Sequence, residues 1–223
     1  MEFFLFFAVE ILLLYFLSRR LLLLIHLHMS RATKNRTFAV YFLAILFLPG
    51  TIFHEMAHYI SAIVLGVPTG TMHLFPKIQE NQVTLGSVQI AKTDPIRRFL
   101  IGVAPLLSGI TAIIILIHFG KDTQLVSPFA REVVLGFLII EIANSMFASD
   151  KDMEGSLALL LTVGVLCITF LVLIIRFSVS ITIPGPVTMF LQTAVYYLLF
   201  PVCINTFFVI IFSLFTKKRL LSQ

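Results

Sequence analysis

Apolar runs long enough to cross a membrane follow one another along this chain with few charges inside them, and they decide what it can fold into. The stretch from Phe99 to Phe119 contains no Asp, Glu, Lys or Arg. A helix needs about 20 residues to cross about 30 Å of hydrocarbon. Six runs approach that length: Phe3 to Leu27, Phe38 to Leu65, Phe99 to Phe119, Val133 to Ala148, Leu157 to Ile175 and Val187 to Phe215. The whole chain is 59% hydrophobic and 12% charged, whereas soluble domains hold about 45–50% and about 25%. The expectation is an all-α polytopic membrane protein with about six transmembrane helices, multi-pass and resident in the cell membrane. It forms a single domain over residues 1–223.

Details of the runs sharpen that reading. Arg19 and Arg20 interrupt the first, so its helix either stops at Leu17 or continues as a tilted one. The amino terminus lacks the basic region of a secretory signal, and the first run is expected to remain as a membrane helix. The net charge of +5 resides mostly at the ends of apolar runs, where Lys and Arg meet lipid headgroups, and no nucleic-acid partner is expected. Basic residues fall on both sides of the spans, which leaves orientation open. The cluster after the first span, with Arg31, Lys34 and Arg36, favours a cytoplasmic loop there. Cys167 and Cys203 lie inside apolar runs without metal or disulfide spacing and read as small buried residues.

Between the second and third runs lies the one long polar stretch, Gly66 to Arg98. Val83, Leu85, Val88 and Ile90 alternate with polar neighbours around Gly86-Ser87, and Met72 to Phe75 form a short run ended by Pro76. Period-two alternation flanked by turn residues predicts two or three short strands, a small β element between helices 2 and 3.

Within the second run stands His54-Glu55-Met56-Ala57-His58. On a helix, an H-E-x-x-H sets two imidazoles on one face where both can hold one zinc, with the Glu beside the metal as a general base. Charged residues cost roughly 2.5–3.5 kcal/mol at the centre of a membrane helix, so a His-Glu-His group there calls for a function. Pro49-Gly50 just before it predicts a kink that opens space near the metal. Hydrolytic zinc usually takes three protein ligands. The remaining histidines are His26, His28, His73 and His118, and the acidic candidates near membrane depth are Glu10, Glu141, Asp150, Asp152 and Glu154. His26 and His28, two residues apart, point to different helix faces and read as interfacial. His73 and His118 are read the same way. Glu141 reads as a buried carboxyl hydrogen-bonded to Ser145 or to a neighbouring helix.

These residues resemble the site-2 proteases, which are intramembrane zinc metalloproteases. His54-Glu55-x-x-His58 is followed by Ala62 and Gly66, similar to the family's H-E-x-x-H-x-x-x-A-x-x-x-G. Ala104-Pro105-Leu106 looks like its A-G-P-L. Asn144 followed by Asp152 is similar in spacing to its N-x-x-P-x-x-x-L-D-G. Phe147 stands in place of that Pro, Lys151 in place of Leu, and the Gly comes at Gly155. The resemblance covers about residues 49–155, within a core of about 38–155. It implies one Zn²⁺ per chain held by His54, His58 and Asp152, with Asp150 as the rival third ligand, Glu55 as general base and Asn144 as an active-site polar group. It further implies cleavage of peptide bonds in or near transmembrane segments of a membrane protein substrate held extended on a strand. The polar stretch is too short for the PDZ module some members carry, which leaves substrate choice to the membrane domain or an accessory membrane partner. Two other readings stand beside it: a membrane metal carrier or sensor without hydrolysis, and a catalytically silent scaffold that binds helices. Glu55 separates them, since only hydrolysis needs a carboxylate beside the metal's water.

Overall fold

The computed structural model describes residues 2–79, 82–120, 127–147, 176 and 184–220. Among these the chain is mostly helical, with six helices and a small β-hairpin. The order is α1 (Glu2–Thr33), α2 (Arg36–Leu46), α3 (Leu48–Val64), β1 (Thr69–His73), β2 (Lys77–Gln79), β3 (Gln82–Thr84), β4 (Ser87–Ile90), α4 (Pro95–Gly120), α5 (Pro128–Ser145) and α6 (Gly185–Leu220). The fifth apolar run, Leu157 to Ile175, lies outside the described residues.

α1 continues through Arg19 and Arg20 as one helix, with no Pro or Gly to break it. Glu10, Leu14, Ser18, Leu21 and Leu24 recur every three or four residues and are all buried, forming the stripe expected of a helix packed along one side. The Arg19 guanidinium lies 4.8 Å over the Tyr15 ring.

The second apolar run is kinked, as Pro49-Gly50 predicts. It forms α2 and α3, bent by 69° at Phe47. Pro49 sits in the first turn of α3, where its missing N–H costs nothing, but its ring would clash with a carbonyl if the helix ran straight through. Thr51 steadies the bend: its N–H and its hydroxyl both donate to the Phe47 carbonyl, each at 2.9 Å.

The expectation of about six spans is met only in part. By length and composition α4 and α6 can each cross a membrane, and the bent α2–α3 pair adds a third. α1 carries Glu10, Arg19 and Arg20, and α5 is an 18-residue helix carrying Arg131, Glu132 and Glu141; neither meets the same measure.

The polar stretch forms two antiparallel ladders in series. β1 pairs with β4 in the register Thr69 to Ile90, Met72 to Val88 and His73 to Ser87, with an irregularity between Thr69 and Met72. β2 pairs with β3, Lys77 opposite Thr84. The strands expected around Gly86-Ser87 are present, and β2 extends the count to four.

The main core joins four helices through Leu14 of α1, Ile110 and Ile113 of α4, Ile142 of α5 with Met146 just after it, and Leu198 of α6. A smaller cluster, Ala62, Val67 and Ile101, ties the end of α3 to α4. The surface inverts the arrangement of a soluble protein. Phe4, Phe16, Ile45, Val64, Leu107 and Phe207 are exposed, while Glu10, Ser18, Glu55, His58, Glu141, Asn144 and Asn205 are buried. An apolar exterior with the polar groups gathered inside beside an apolar core suits a hydrocarbon solvent, where polar groups must find partners inside.

Candidate metal centre

α3 carries the inversion in one helix. Thr51, Glu55, His58 and Ala62 are buried along one face, while Met56, Ile60, Ile63 and Val64 are exposed on the other. The polar face meets α4, α5 and the hairpin, and each supplies something to it.

His54 and His58 stand one turn apart with their rings edge to face, centroids 4.6 Å apart. His54 Nδ1 bonds the Ser145 carbonyl at the end of α5. His58 Nδ1 bonds the Ile101 carbonyl of α4 at 2.8 Å. A carbonyl oxygen only accepts, so both Nδ1 atoms are donors. In the neutral rings this leaves the lone pairs on the two Nε2 atoms, and these lie 3.0 Å from each other. Two lone pairs at that distance repel until a proton or a cation stands between them. Two Zn–N bonds of about 2.0–2.1 Å diverging tetrahedrally would set their nitrogens roughly 3.3 Å apart. The pair therefore suits a shared zinc in chemistry and nearly in spacing.

Glu55 is 6% exposed. The hairpin reaches it at Gly86, between the two ladders: a methyl group there would lie 2.9 Å from Glu55 Oε1 and 2.7 Å from Thr51 Cγ2. Only glycine lets the strand backbone come this close.

α5 lies beside α3 in parallel register. The Gly50 N–H donates to Glu141 Oε2 at 3.2 Å, and one turn on His54 meets Ser145. Both pairs join residues 91 apart in sequence. α3 has no capping bond from its own Phe47, so the Glu141 carboxyl takes up one of the N–H groups left open at a helix start. This is the neighbouring-helix partner that the sequence offered as one reading of Glu141. Gly50 also permits the approach, since a methyl on it would sit 2.5 Å from the Glu141 carbonyl oxygen.

Asn144 lies on another face of α5. Its Nδ2 donates to the Ile140 carbonyl at 2.9 Å and to Asn205 Oδ1 at 3.3 Å, while its Oδ1 accepts from Asn205 Nδ2 at 2.8 Å. Asn205 of α6 is fully buried and reaches Ser18 of α1 at 3.5 Å. Sequence reasoning missed Asn205, although an amide deep in an apolar span signals a buried partner.

The other candidates lie apart. His28 Nδ1 bonds the Leu24 carbonyl within α1, and its ring lies by Phe212. His73 approaches the Thr71 hydroxyl in β1, and His118 meets the Phe119 ring edge to face at the end of α4. Asp150, Asp152 and Glu154 fall outside the described residues, and among the described residues no group of three or more His, Cys, Asp or Glu is arranged to hold a metal. A cleft of about 600 Å³ opens between α1, α4 and α6, lined by Phe7, Ile11, Leu107, Ile110 and Phe190, and it reaches Phe147 just beyond the end of α5.

No protein-family model, curated protein or solved structure matches the chain.

Proposed function

We propose that this chain is an intramembrane zinc metalloprotease, a multi-pass protein of about six spans that hydrolyses peptide bonds in or near transmembrane segments of other membrane proteins. The observation that carries the reading is the paired imidazoles on α3, whose Nδ1 atoms are both held by backbone carbonyls and whose Nε2 atoms converge. His54 and His58 would hold the ion, with Asp152 as third ligand. When bound, zinc polarises the scissile carbonyl and lowers the pKa of water toward about 7.

The chain's own groups do the remainder. Glu55, on the same helix between the two imidazoles, accepts a proton from the attacking water and delivers it to the departing amine. The carbonyls of Ile101 and Ser145 keep the imidazoles turned toward the ion. A peptide bond inside a helix has its carbonyl already bonded, so a substrate must be extended before attack. The hairpin that touches Glu55 at Gly86 offers a strand edge on which an extended segment can lie. Convergent imidazoles alone would serve a metal carrier equally well; a carboxylate buried next to them favours hydrolysis.

Replacing Glu55 by Gln and assaying cleavage of a co-expressed membrane substrate tests the reading. Bound zinc is expected to persist while cleavage is lost, and unchanged cleavage overturns the mechanism. Separate changes of Asp152 and Asp150, read by zinc content, test the third ligand: loss of metal with the Asp150 change alone would reverse the assignment.

A further inference from the structure

We infer that Pro105 is a positioning residue for His58, acting through the carbonyl of Ile101; the inference rests on the metal-binding reading of His54 and His58. In an α-helix the carbonyl of one residue accepts the N–H four positions on. The residue four positions after Ile101 is Pro105, which has no N–H to give. Both residues are less than 2% exposed. A buried carbonyl without its helical donor is costly, and here His58 Nδ1 supplies the bond at 2.8 Å.

The second imidazole follows the same logic by another route. Ser145 is the last residue of α5, so its carbonyl has no following turn to bond to, and His54 Nδ1 takes it. Two interruptions of helical bonding, one made by a proline and one by a helix end, thus release two acceptors at the height of two imidazoles one turn apart. Each fixes a tautomer with its lone pair on Nε2. A proline at any other position of α4 would bend the helix just as well but would release a different carbonyl. The position of Pro105 is accounted for by the acceptor it frees.

Pro105→Ala restores an N–H that competes with His58 for the Ile101 carbonyl. The thermal unfolding midpoint in detergent is expected to hold or rise, because a helical bond is regained. Zinc affinity, measured by competition with a chromogenic chelator, is expected to fall about 10–100-fold, the usual loss when a ligand's hydrogen-bond partner is removed. In the metal-free protein, side-chain ¹⁵N spectra at a pH where the rings are neutral should show His58 changing from one Nδ1-protonated tautomer to a mixture while His54 stays as it was. A lowered midpoint with unchanged zinc affinity and unchanged His58 tautomer overturns the inference and makes Pro105 a bend alone. If the variant does not accumulate, the metal-free wild-type spectrum decides: His58 protonated at Nε2 overturns it. Wild-type protein that binds no zinc, with His58 held in the Nδ1-protonated form, would defeat the metal reading and leave the Pro105–Ile101–His58 relation standing.

Discussion

Asn205 on α6 and Asn144 on α5 exchange two hydrogen bonds, side-chain amide to side-chain amide, at 2.8 and 3.3 Å in the interior of the helix bundle. A reciprocal amide pair satisfies donor and acceptor on both partners at once, which neither residue could achieve against an apolar neighbour. It joins the last helix of the chain to the one whose end holds His54.

Asn205→Leu leaves the Asn144 amide short of its partner in a buried place and is expected to lower stability by about 1–3 kcal/mol. Asn144→Leu should cost a similar amount, and the double variant less than the two together. Unfolding in mixed detergent and denaturant measures this cycle. Strict additivity would show that the pair contributes no coupling.

Gly86→Ala places a methyl within 2.9 Å of Glu55 Oε1 and 2.7 Å of Thr51 Cγ2. Either the hairpin lifts or Glu55 turns. With misplacement of about 1 Å costing on the order of 100-fold in rate, cleavage should fall by that order while zinc content stays at the wild-type level. Cleavage at the wild-type rate would show that the hairpin has no fixed relation to the carboxylate.

Glu141→Ala deprives the Gly50 N–H of its acceptor and should destabilise the protein by about 1–3 kcal/mol. Glu141→Gln keeps an oxygen in reach and should lose less. Thermal melts of the two variants in one detergent make the comparison, and equal losses would show that the bond to Gly50 contributes nothing.

Asp94, at the exposed start of α4, supplies the acid-sensitive element. Its Oδ1 accepts from the Arg97 and Ile96 N–H groups at 3.0 and 3.1 Å. The bond from the Arg97 backbone, foremost, and the nearby guanidinium hold its carboxyl below the usual aspartate range. A depressed folded pKa means that the stabilising effect is complete above the unfolded value and is lost as pH falls through the folded one. Wild type should therefore exceed Asp94→Ala in thermal midpoint at pH 5 to 7, and the gap should close as pH drops below about 3.8. A gap that does not change with pH would contradict this.

Much of this architecture is legible in the residues, and what is not has physical reasons. Hydropathy marks where helices run, and the alternation around Gly86 marks the hairpin. It does not mark the break at Phe47, because the residues on either side are equally apolar; Pro49-Gly50 was the only sign. It carries the fourth run to Ala148, whereas α5 ends at Ser145, since Met146 and Phe147 are as apolar as the helix before them. His54, Glu55 and His58 announce themselves by spacing. The groups that orient the imidazoles are backbone carbonyls, which any residue possesses, so Ser145 and Ile101 leave no mark of their own. Asn144 drew attention through the N-to-D spacing, yet its amide is engaged by Asn205, which no motif names. The proposed carboxylate ligand, Asp152, stands where the sequence departs most from the family it resembles.

The equal offset of the Gly50–Glu141 and His54–Ser145 pairs makes the two helices behave as a vernier with one setting. A slip of α5 along α3 by a single turn, about 5.4 Å, would break both contacts together and replace at most one, by setting Glu141 opposite His54 or Ser145 opposite Gly50. Disturbance of this contact should therefore register at the imidazoles as an abrupt loss of order and not as a gradual loosening.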